Sequence, residues 1–332
     1  MTNVNWKDEL SQAVTEVSEL CRILELPIDW GDPLVLREYP LFVPHSFVDK
    51  MAKGQSNDPL LLQVLPCREE LAIISGFSRD PLHELSNNFS DSSCCVLKKY
   101  AGRVLLLVSH SCGIHCRFCF RRFFPRFNCF DENYFNNIEM LLKPLYSDNT
   151  IEEVILSGGD PLLLDDLELE RLLYYIVKIS HVKRIRIHSR LPVVLPNRLT
   201  PELVKTLSFS CPIYLVLHIN HPNELCDEFW ERREMLKVPV VLSQTVLLKG
   251  VNDNSEVLYQ LFDRLIDHRI IPYYLHQLDR VQGAAHFEVP LEEGCRLMEQ
   301  LRKRLPGYAV PKYVQEIPGM LSKTEIKEII RK

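Results

Sequence analysis

Three cysteines and three arginines are crowded into the thirteen residues "HSCGIHCRFCFRR", which run from His110 to Arg122. The cysteines, Cys112, Cys116 and Cys119, have the spacing CxxxCxxC. Thiolates are soft anionic ligands that suit iron–sulfur clusters or zinc. A [4Fe–4S] cluster has four irons, so three cysteine ligands would leave one iron open to a ligand from outside the protein. The stretch therefore predicts a cluster with an open coordination position.

The same cysteines allow three other interpretations. Their spacing would also place them on one face of a buried helix, where free cysteine is common, although Gly113 interrupts the stretch and arginines flank it. A zinc site could be completed by His110 or His115, although structural zinc sites usually combine two CxxC-like pairs. Cys129 could be the fourth ligand of a closed cluster. The residues alone leave these alternatives open.

The elements that must position this stretch alternate between short apolar runs and helical patterns. After the first interval the runs recur about every thirty residues, the length of one βα unit, and six such units predict a parallel, barrel-like or partly open α/β sheet. The runs begin at Arg103, Glu152, Lys183, Ile213, Pro239 and Ile271. The helices between and after them are predicted at Leu167–Ile179, Pro201–Leu207, Asn223–Leu236, Ser255–Asp267 and Leu291–Leu305.

Functional side chains of parallel α/β barrels lie in the loops at the carboxyl ends of the strands. The first run ends at Ser109, directly before the cysteine stretch, and the second ends in "SGGDPL", residues Ser157–Leu162. Glycine allows a close approach of the backbone to a ligand, whereas Asp160 and Pro161 also suit the first positions of a helix. Both segments are therefore predicted at the same edge of the sheet.

Composition excludes several classes of protein. The formal net charge is −5 and no extended basic cluster is present, which disfavours nucleic-acid binding. The N-terminus lacks a basic segment followed by an apolar run, and no stretch approaches the ~18 apolar residues of a membrane span. We expect a cytoplasmic protein without membrane association. Eleven cysteines without a secretion signal favour free thiols and metal or catalytic use over a disulfide framework.

Several ordered blocks resemble one known family. The CxxxCxxC loop after the first strand, together with "SGGDPL", resembles the radical S-adenosylmethionine (SAM) superfamily. The blocks "RIHSRLPVVLP", "HINHPNE", "SQTVLLKGVND", "PYYLHQLDRVQGAAHF" and "GYAVPKYVQEIPGMLSK" extend the resemblance to the lysine 2,3-aminomutase family, from about Asp58 to Lys323. The match is closest to its short branch, which supplies β-lysine to elongation factor P.

This resemblance implies an α/β fold, the open TIM-type (β/α)6 barrel of the superfamily. Before residue 100, "WKDELSQAVTEVSELCRIL" has apolar residues at helical spacing and is followed by repeated prolines, which predicts a mainly helical N-terminal wrapping segment (1–100). The barrel would then span 101–285, and a closing C-terminal segment would span 286–332. The closing segment would carry the lysine that binds pyridoxal 5′-phosphate (PLP).

The resemblance also implies three cofactors and the residues that hold them. Cys112, Cys116 and Cys119 would bind the [4Fe–4S] cluster, and Lys323 would bind PLP as a Schiff base, which requires an uncharged amine. The PLP phosphate would contact Lys99, Tyr100 and Arg103. SAM, bound to the open iron, would contact Ser157, Gly158, Gly159, Asp160, Ser189 and Gln244, although Ser189 and Gln244 could equally satisfy backbone groups at a strand end.

Three further residues match the family's substrate contacts. Arg121 would bind the substrate carboxylate, a role that suits the planar guanidinium. Asp279 and Glu316 would bind the ε-ammonium of lysine. Glu316 stands where the larger aminomutases carry aspartate, so its side chain is longer by one methylene. Those enzymes also have a zinc-binding tail, and Asn254 replaces one of their zinc cysteines, so no zinc is expected here.

The implied activity is that of an isomerase that converts L-α-lysine to β-lysine, the R isomer, by 1,2-amino migration. Its partners would be an electron donor such as flavodoxin or ferredoxin, a ligase that attaches β-lysine, and elongation factor P. Two alternatives compete with this function. One is a non-catalytic iron–sulfur protein with a redox or structural role. The other is a radical aminomutase for another amino acid such as glutamate, which Asp279 and Glu316 would repel.

Overall fold

A computed structural model describes residues 5–27, 33–85, 95–125, 138–236 and 240–326. Within these ranges one sheet contains nine strands, arranged side by side in chain order. The strands are β1 (Val96–Tyr100), β2 (Arg103–Ser109), β3 (Glu153–Gly158), β4 (Arg184–Ser189), β5 (Ile213–His218), β6 (Val240–Val246), β7 (Ile270–His276), β8 (Lys312–Gln315) and β9 (Thr324–Glu325). The helices are α1 (Trp6–Ser11), α2 (Val17–Ile23), α3 (Pro33–Glu38), α4 (His45–Val48), α5 (Pro59–Leu62), α6 (Ile138–Ser147), α7 (Asp166–Val177), α8 (Leu191–Val194), α9 (Pro201–Thr206), α10 (Asp227–Arg233), α11 (Ser255–Asp267) and α12 (Leu291–Arg304).

The parallel part of the sheet extends from β2 to β8. Its first six strands are those that the sequence predicted, and β8 adds a seventh. β1 and β9 pair antiparallel with β2 and β8 at the two ends of the sheet. Across the described strands the order does not return to β1, so the barrel is open. The predicted partial TIM-type barrel is therefore confirmed, with a wider sheet than six strands.

The five predicted helices are present as α7, α9, α10, α11 and α12. Four of them begin and end within two residues of the predicted bounds. The third predicted helix, Asn223–Leu236, was wrong in its first turn, where a 3-10 turn at Pro222–Glu224 precedes the shorter α10. Glu224 accepts a hydrogen bond from the Asn220 backbone N–H at 3.1 Å, and this inward turn interrupts the helix.

The barrel core is built from both faces of the sheet. β3 illustrates the pattern, since Glu153 to Leu156 are all buried, as expected for a parallel strand covered on both faces. Helices α7 and α11 place Leu172 and Phe262 at zero exposure in the same apolar cluster. The described residues contain no helix that is both long enough and apolar enough to cross a membrane.

The N-terminal segment forms short helices around a separate apolar cluster. The helical pattern near the N-terminus is divided into α1 and α2, because Val14 between them pairs with Val43 through two backbone hydrogen bonds. The cluster contains Leu20 and Phe47, and it also buries Ile114, a residue of the cysteine stretch. The wrapping segment therefore packs directly against the loop that carries the candidate cluster ligands.

Candidate active site

One cavity of about 550 Å³ lies at the carboxyl ends of the parallel strands. All residues that the sequence predicted for cluster, SAM, PLP and substrate binding line this cavity. They come from segments as distant in sequence as β1, which contains Lys99, and the residue before β9, Lys323. The shared strand-end location brings these residues together, and the individual roles stay predictions.

The cysteine stretch forms a loop after β2 and is not helical, so the interpretation as a helix face was wrong. Cys112, Cys116 and Cys119 carry free thiols that line the cavity. Burial raises the pKa of the Cys119 thiol to about 11, so ligand binding by this thiol requires the loss of a proton. Cys129, the alternative fourth ligand, lies outside the described residues.

Among the described residues, no group of three or more His, Cys, Asp or Glu side chains surrounds a single metal ion position. His115, one candidate ligand for zinc, contacts the Pro40 carbonyl through Nδ1 at 2.8 Å and stacks on Tyr39. Eight described cysteines have free thiols, in line with the composition. Cys95 is disulfide-bonded, and a disulfide at this one cysteine does not amount to the framework that the composition disfavoured. Composition cannot tell which thiols the tertiary structure brings together.

A buried ion-pair group braces the cysteine loop from the N-terminal segment. Arg117 donates two hydrogen bonds to the Glu70 carboxylate at 2.7 and 2.8 Å, and a third to the Tyr39 carbonyl at 2.8 Å. Arg122 also pairs with Glu70 at 2.7 Å and donates to the Arg117 carbonyl at 3.0 Å. This is not a surface ion pair, because only 2% of the Arg122 side chain is exposed.

The two glycines of "SGGDPL" allow the β3 loop to touch the cysteine loop. A Cβ at Gly159 would lie 2.1 Å from the Ser111 carbonyl oxygen, and Gly158 has a φ of +117°. The Gly159 backbone N–H donates to the Ser109 carbonyl at 2.6 Å, and the next N–H donates to Ser111 at 2.8 Å. These close contacts join the first two strand-end loops, and both glycines still line the cavity.

Asp160 has the local structural role that its sequence context also suggested. Its carboxylate accepts hydrogen bonds from the Leu162 and Leu191 backbone N–H groups at 3.0 and 2.9 Å, and from the Arg190 N–H at 2.8 Å. The Ser189 hydroxyl donates to it at 2.6 Å. Asp160 therefore caps the turn after β3 and ties it to the end of β4, and contact of either residue with SAM stays a prediction.

Arg190 places a buried positive charge beside the cysteine loop. Its Nη1 lies 2.8 Å from Cys116 Sγ, and its Nη2 donates to Gln63 at 2.6 Å and to Glu224 at 3.1 Å. Asn220 donates to the same Gln63 oxygen at 2.9 Å. A guanidinium at this position suits a thiolate ligand, because it favours the negative charge on sulfur.

Arg121 and Lys99 share one buried carboxylate that sequence reasoning missed, that of Glu84. Arg121 donates to both Glu84 oxygens, at 2.7 and 2.9 Å, and Lys99 Nζ lies 2.8 Å from Glu84 Oε1. Burial alone would raise the pKa of the Glu84 carboxyl, but Arg121 and Lys99 hold it at about 2. The remaining Arg121 nitrogen, Nη1, donates to the Ser157 hydroxyl at 3.1 Å.

Glu316 is the counter-ion of the candidate Schiff-base lysine. It accepts hydrogen bonds from Lys323 and from the Tyr100 hydroxyl, and from Lys99 at 3.3 Å. Burial would raise the pKa of the Glu316 carboxyl, yet Lys323 and Lys99 hold it at about 2. Arg121, Glu84, Lys99, Glu316 and Lys323 thus form a chain of alternating charges across the cavity.

Cationic groups suited to a phosphate lie near this chain. The Arg103 guanidinium stacks 5.3 Å from the centre of the Tyr100 ring, and it has no ion pair within the described ranges. Arg186, on β4, also lines the cavity and is paired with Glu153 at 2.7 Å. Among the described residues, Arg103 is therefore a cavity cation that no carboxylate engages, which suits it to receive an anion.

Asp279 and three histidines complete the polar wall. Burial raises the pKa of the Asp279 carboxyl to about 7, against the opposing effects of Lys323 and Lys99. Burial has the opposite effect on the three histidines, since it disfavours their positively charged form. It lowers the pKa values of His188 and His276 strongly, and together with Arg190 it lowers the pKa of His218 to about 3. The histidines are therefore uncharged at neutral pH, and Gln244 hydrogen-bonds to His188.

Sequence reasoning missed the cavity histidines, Arg186, Arg190, Glu70 and Glu84. A signal for two of them was available in β4, "RIRIHS". Arg186 and His188 occupy alternate positions, which share one face of a strand, and polar residues on a face of a buried strand point to a functional interior. No comparable signal marks the two glutamates, because their partners are distant in sequence.

Asp279→Asn is expected to stabilise the fold. The native pKa of about 7 is higher than the ordinary value of 3.8. The cost of ionising the buried carboxyl therefore grows as pH rises from about 4 to 7, and it is constant above that range. We expect a gain on the order of 4 kcal/mol at pH 8 and a smaller gain at pH 5, measured by urea unfolding. A gain that is equal at both pH values, or absent at pH 8, would contradict this account.

The fold and the cysteine loop define the class of protein. A family model described as "Radical SAM superfamily" matches residues 106–262, from β2 to α11. A solved radical SAM methyltransferase from Sphaerobacter thermophilus overlaps 66% of this chain and 68% of its own, with a TM-score of 0.47 and 16% identity.

Curated relatives narrow the class. An L-lysine 2,3-aminomutase of Escherichia coli K12 is 43% identical over 97% of this chain and 94% of its own length. That of Haemophilus influenzae is 41% identical over 96% and 95%, and that of Clostridium subterminale is 33% identical over 97% and 77%. The chain belongs to the lysine 2,3-aminomutase family of the radical SAM superfamily and is an enzyme, an isomerase of this type.

This membership implies a [4Fe–4S] cluster and SAM. The residues present fit the cluster, because three thiols line one cavity and the guanidinium of Arg190 lies beside one of them. They also fit PLP, because Lys323 lines the cavity and shares Glu316 with Tyr100, and because Arg103, on the same lining, has no ion pair within the part of the chain that the structure describes.

Proposed function

We propose that this enzyme converts L-lysine to (R)-β-lysine by moving the amino group from C2 to C3. The observation that carries the proposal is the single cavity in which the three cysteines, Lys323, Arg121 and Asp279 are brought together. The names of the relatives support lysine as the substrate. Bound there, the cluster and SAM would supply a radical able to abstract hydrogen from C3, and PLP would supply the route for nitrogen migration.

The charges of the cavity support a substrate with one carboxylate and one distant cation. Arg121 would receive the carboxylate through Nη1, next to the cysteine loop. Asp279 would receive the ε-ammonium, since no described side chain donates a hydrogen bond to its carboxylate, and the ammonium would favour its charged form. Glu316, by contrast, is already engaged by Lys323, Lys99 and Tyr100, so we assign it first to the lysine that would carry PLP.

Two competing functions fit less well. A non-catalytic iron–sulfur protein is disfavoured by membership of an enzyme family. Glutamate as substrate is disfavoured because its side-chain carboxylate would meet Asp279 and Glu316, and Glu84 adds a third carboxylate to the same cavity.

We further propose that the β-lysine is passed to a ligase that attaches it to elongation factor P, and that an iron–sulfur or flavin protein such as ferredoxin or flavodoxin supplies the electron. The enzyme would act on free lysine, before ligation. Lysine that is joined to a protein through its carboxyl group has an amide in place of the carboxylate, so the contact with Arg121 would be lost.

An anaerobic assay with a chemical reductant, SAM and PLP tests the function. Free L-lysine, lysylated elongation factor P and L-glutamate would be offered separately, and β-amino acids would be detected by chiral chromatography and mass spectrometry. We expect (R)-β-lysine from free lysine alone. Rearrangement only of the protein-bound lysine would contradict the proposed order of events, and a product from glutamate alone would contradict the substrate.

A further inference from the structure

Glu84 is a charged group in the cavity that the residues matched to the family do not include. Its side chain is 2% exposed and lines the cavity together with Leu82. Asp80 holds the backbone at Glu84 in place. Its carboxylate accepts hydrogen bonds from the Glu84 N–H at 2.9 Å and from the Leu85 N–H at 3.0 Å. The wrapping segment thus delivers a carboxylate to the strand-end site.

The contacts of Glu84 fix the orientation of Arg121. Both Nε and Nη2 of Arg121 donate to Glu84, in the two-point geometry that restricts a guanidinium most strongly. The third nitrogen, Nη1, donates instead to two residues of the cavity lining, the Ser157 hydroxyl at 3.1 Å and the Gly158 carbonyl at 3.5 Å. Without Glu84, the flexible arginine would lose both of these hydrogen bonds and would have to be ordered by the substrate itself.

Glu84 also connects the two ends of the site. Lys99 Nζ lies 2.8 Å from Glu84 and 3.3 Å from Glu316, which in turn contacts Lys323. Removing the charge of Glu84 would leave Lys99 with one carboxylate neighbour, and this change would favour an anion such as a phosphate near Lys99.

We propose that Glu84 is a positioning residue of the substrate site, which holds the Arg121 guanidinium so that its Nη1 receives the substrate carboxylate. This inference rests on the proposed function. It gives the wrapping segment a part in substrate binding. Glu70 has a different role, because it braces Arg117 and Arg122 outside the cavity lining.

The test compares Glu84→Gln with Glu84→Asp in the enzyme reconstituted with cluster and PLP. For Glu84→Gln we expect KM for lysine to rise about 10- to 100-fold, with kcat changed less than about 3-fold. Glu84→Asp keeps the charge but shortens the side chain, so its KM for lysine should lie between the KM of the wild type and that of Glu84→Gln. The Kd for lysine, measured by near-visible absorbance of the PLP-loaded enzyme without SAM or reductant, should rise in parallel, and PLP should bind no more weakly.

Glu70→Gln is the matched variant, because it also removes one charge from a buried arginine–glutamate pair. It is expected to lower the iron content and the urea midpoint with little change in lysine Kd. A Glu84→Gln enzyme with wild-type KM and Kd, or one that loses only iron and stability as Glu70→Gln does, would overturn the inference. Should Glu84→Gln not fold, an unchanged KM in Glu84→Asp would overturn it equally. A wild-type enzyme that forms no β-lysine would instead overturn the proposed function.

Discussion

Lys323→Ala is expected to abolish formation of β-lysine, with a loss of at least about 1,000-fold. Lys323 lines the cavity and donates a hydrogen bond to Glu316. Its side-chain amine is the group proposed to hold PLP covalently. Without it, the cofactor aldehyde has no covalent anchor in the site. The measurements are the near-visible absorbance of bound PLP and the rate of β-lysine formation under anaerobic conditions.

Lys323→Arg separates covalent attachment from charge. Arginine retains a positive charge next to Glu316 but cannot form the bond to the aldehyde, so it is expected to be as inactive as the alanine variant. Lys205→Ala, on an exposed face of α9, controls for the loss of a lysine elsewhere. Activity retained in Lys323→Arg would mean that Lys323 acts only as a counter-ion of Glu316.

Cys116→Ala is expected to produce a comparably large loss of activity through loss of the cluster. Its thiol lines the cavity, and Arg190 Nη1 lies 2.8 Å from its sulfur. With two of the three predicted ligands left, iron and sulfide per chain should fall to a small fraction of the wild-type content. Both contents and the visible absorbance of the reconstituted protein would be measured before activity.

Cys211→Ala provides the matched control for the cysteine experiment. Cys211 also has a free thiol, but it precedes β5 and does not line the cavity. Its iron content and activity should equal those of the wild type. Wild-type iron content in Cys116→Ala would refute the assignment of this loop as the cluster site. Because metal content is read separately from turnover, the result does not depend on the identity of the substrate.

Three glutamates in or next to the cavity show which functional residues sequence can reveal and which require the structure. Glu316 could be found from sequence because it lies in a block that matches the family. Glu70 and Glu84 lie in the wrapping segment and carry no pattern, yet each forms a two-point contact with an arginine of the cysteine loop. These contacts span 47 and 37 residues, so no local rule could have predicted them.

The strands show the same distinction. The periodic apolar runs predicted β2 to β7 and the direction of their pairing, because a parallel strand buried on both faces is apolar along its length. β8 was missed, since its four residues are too few for a periodic pattern. The first turn of the third predicted helix, now α10, was also wrong, because the contact of Glu224 with Asn220 overrides helical periodicity.

The sequence by itself determined the spacing of three thiols, the order of the βα units, and hence the edge at which the candidate residues would lie. These are local properties, set by residue type and by repeat length along the chain. Tertiary structure alone decided which charges neighbour one another. Glu84 lies between Arg121 and Lys99, Glu316 beside Lys323, and the buried Arg190 next to Cys116. Electrostatic interactions depend on distance through space and on burial, and neither quantity is written in the order of residues.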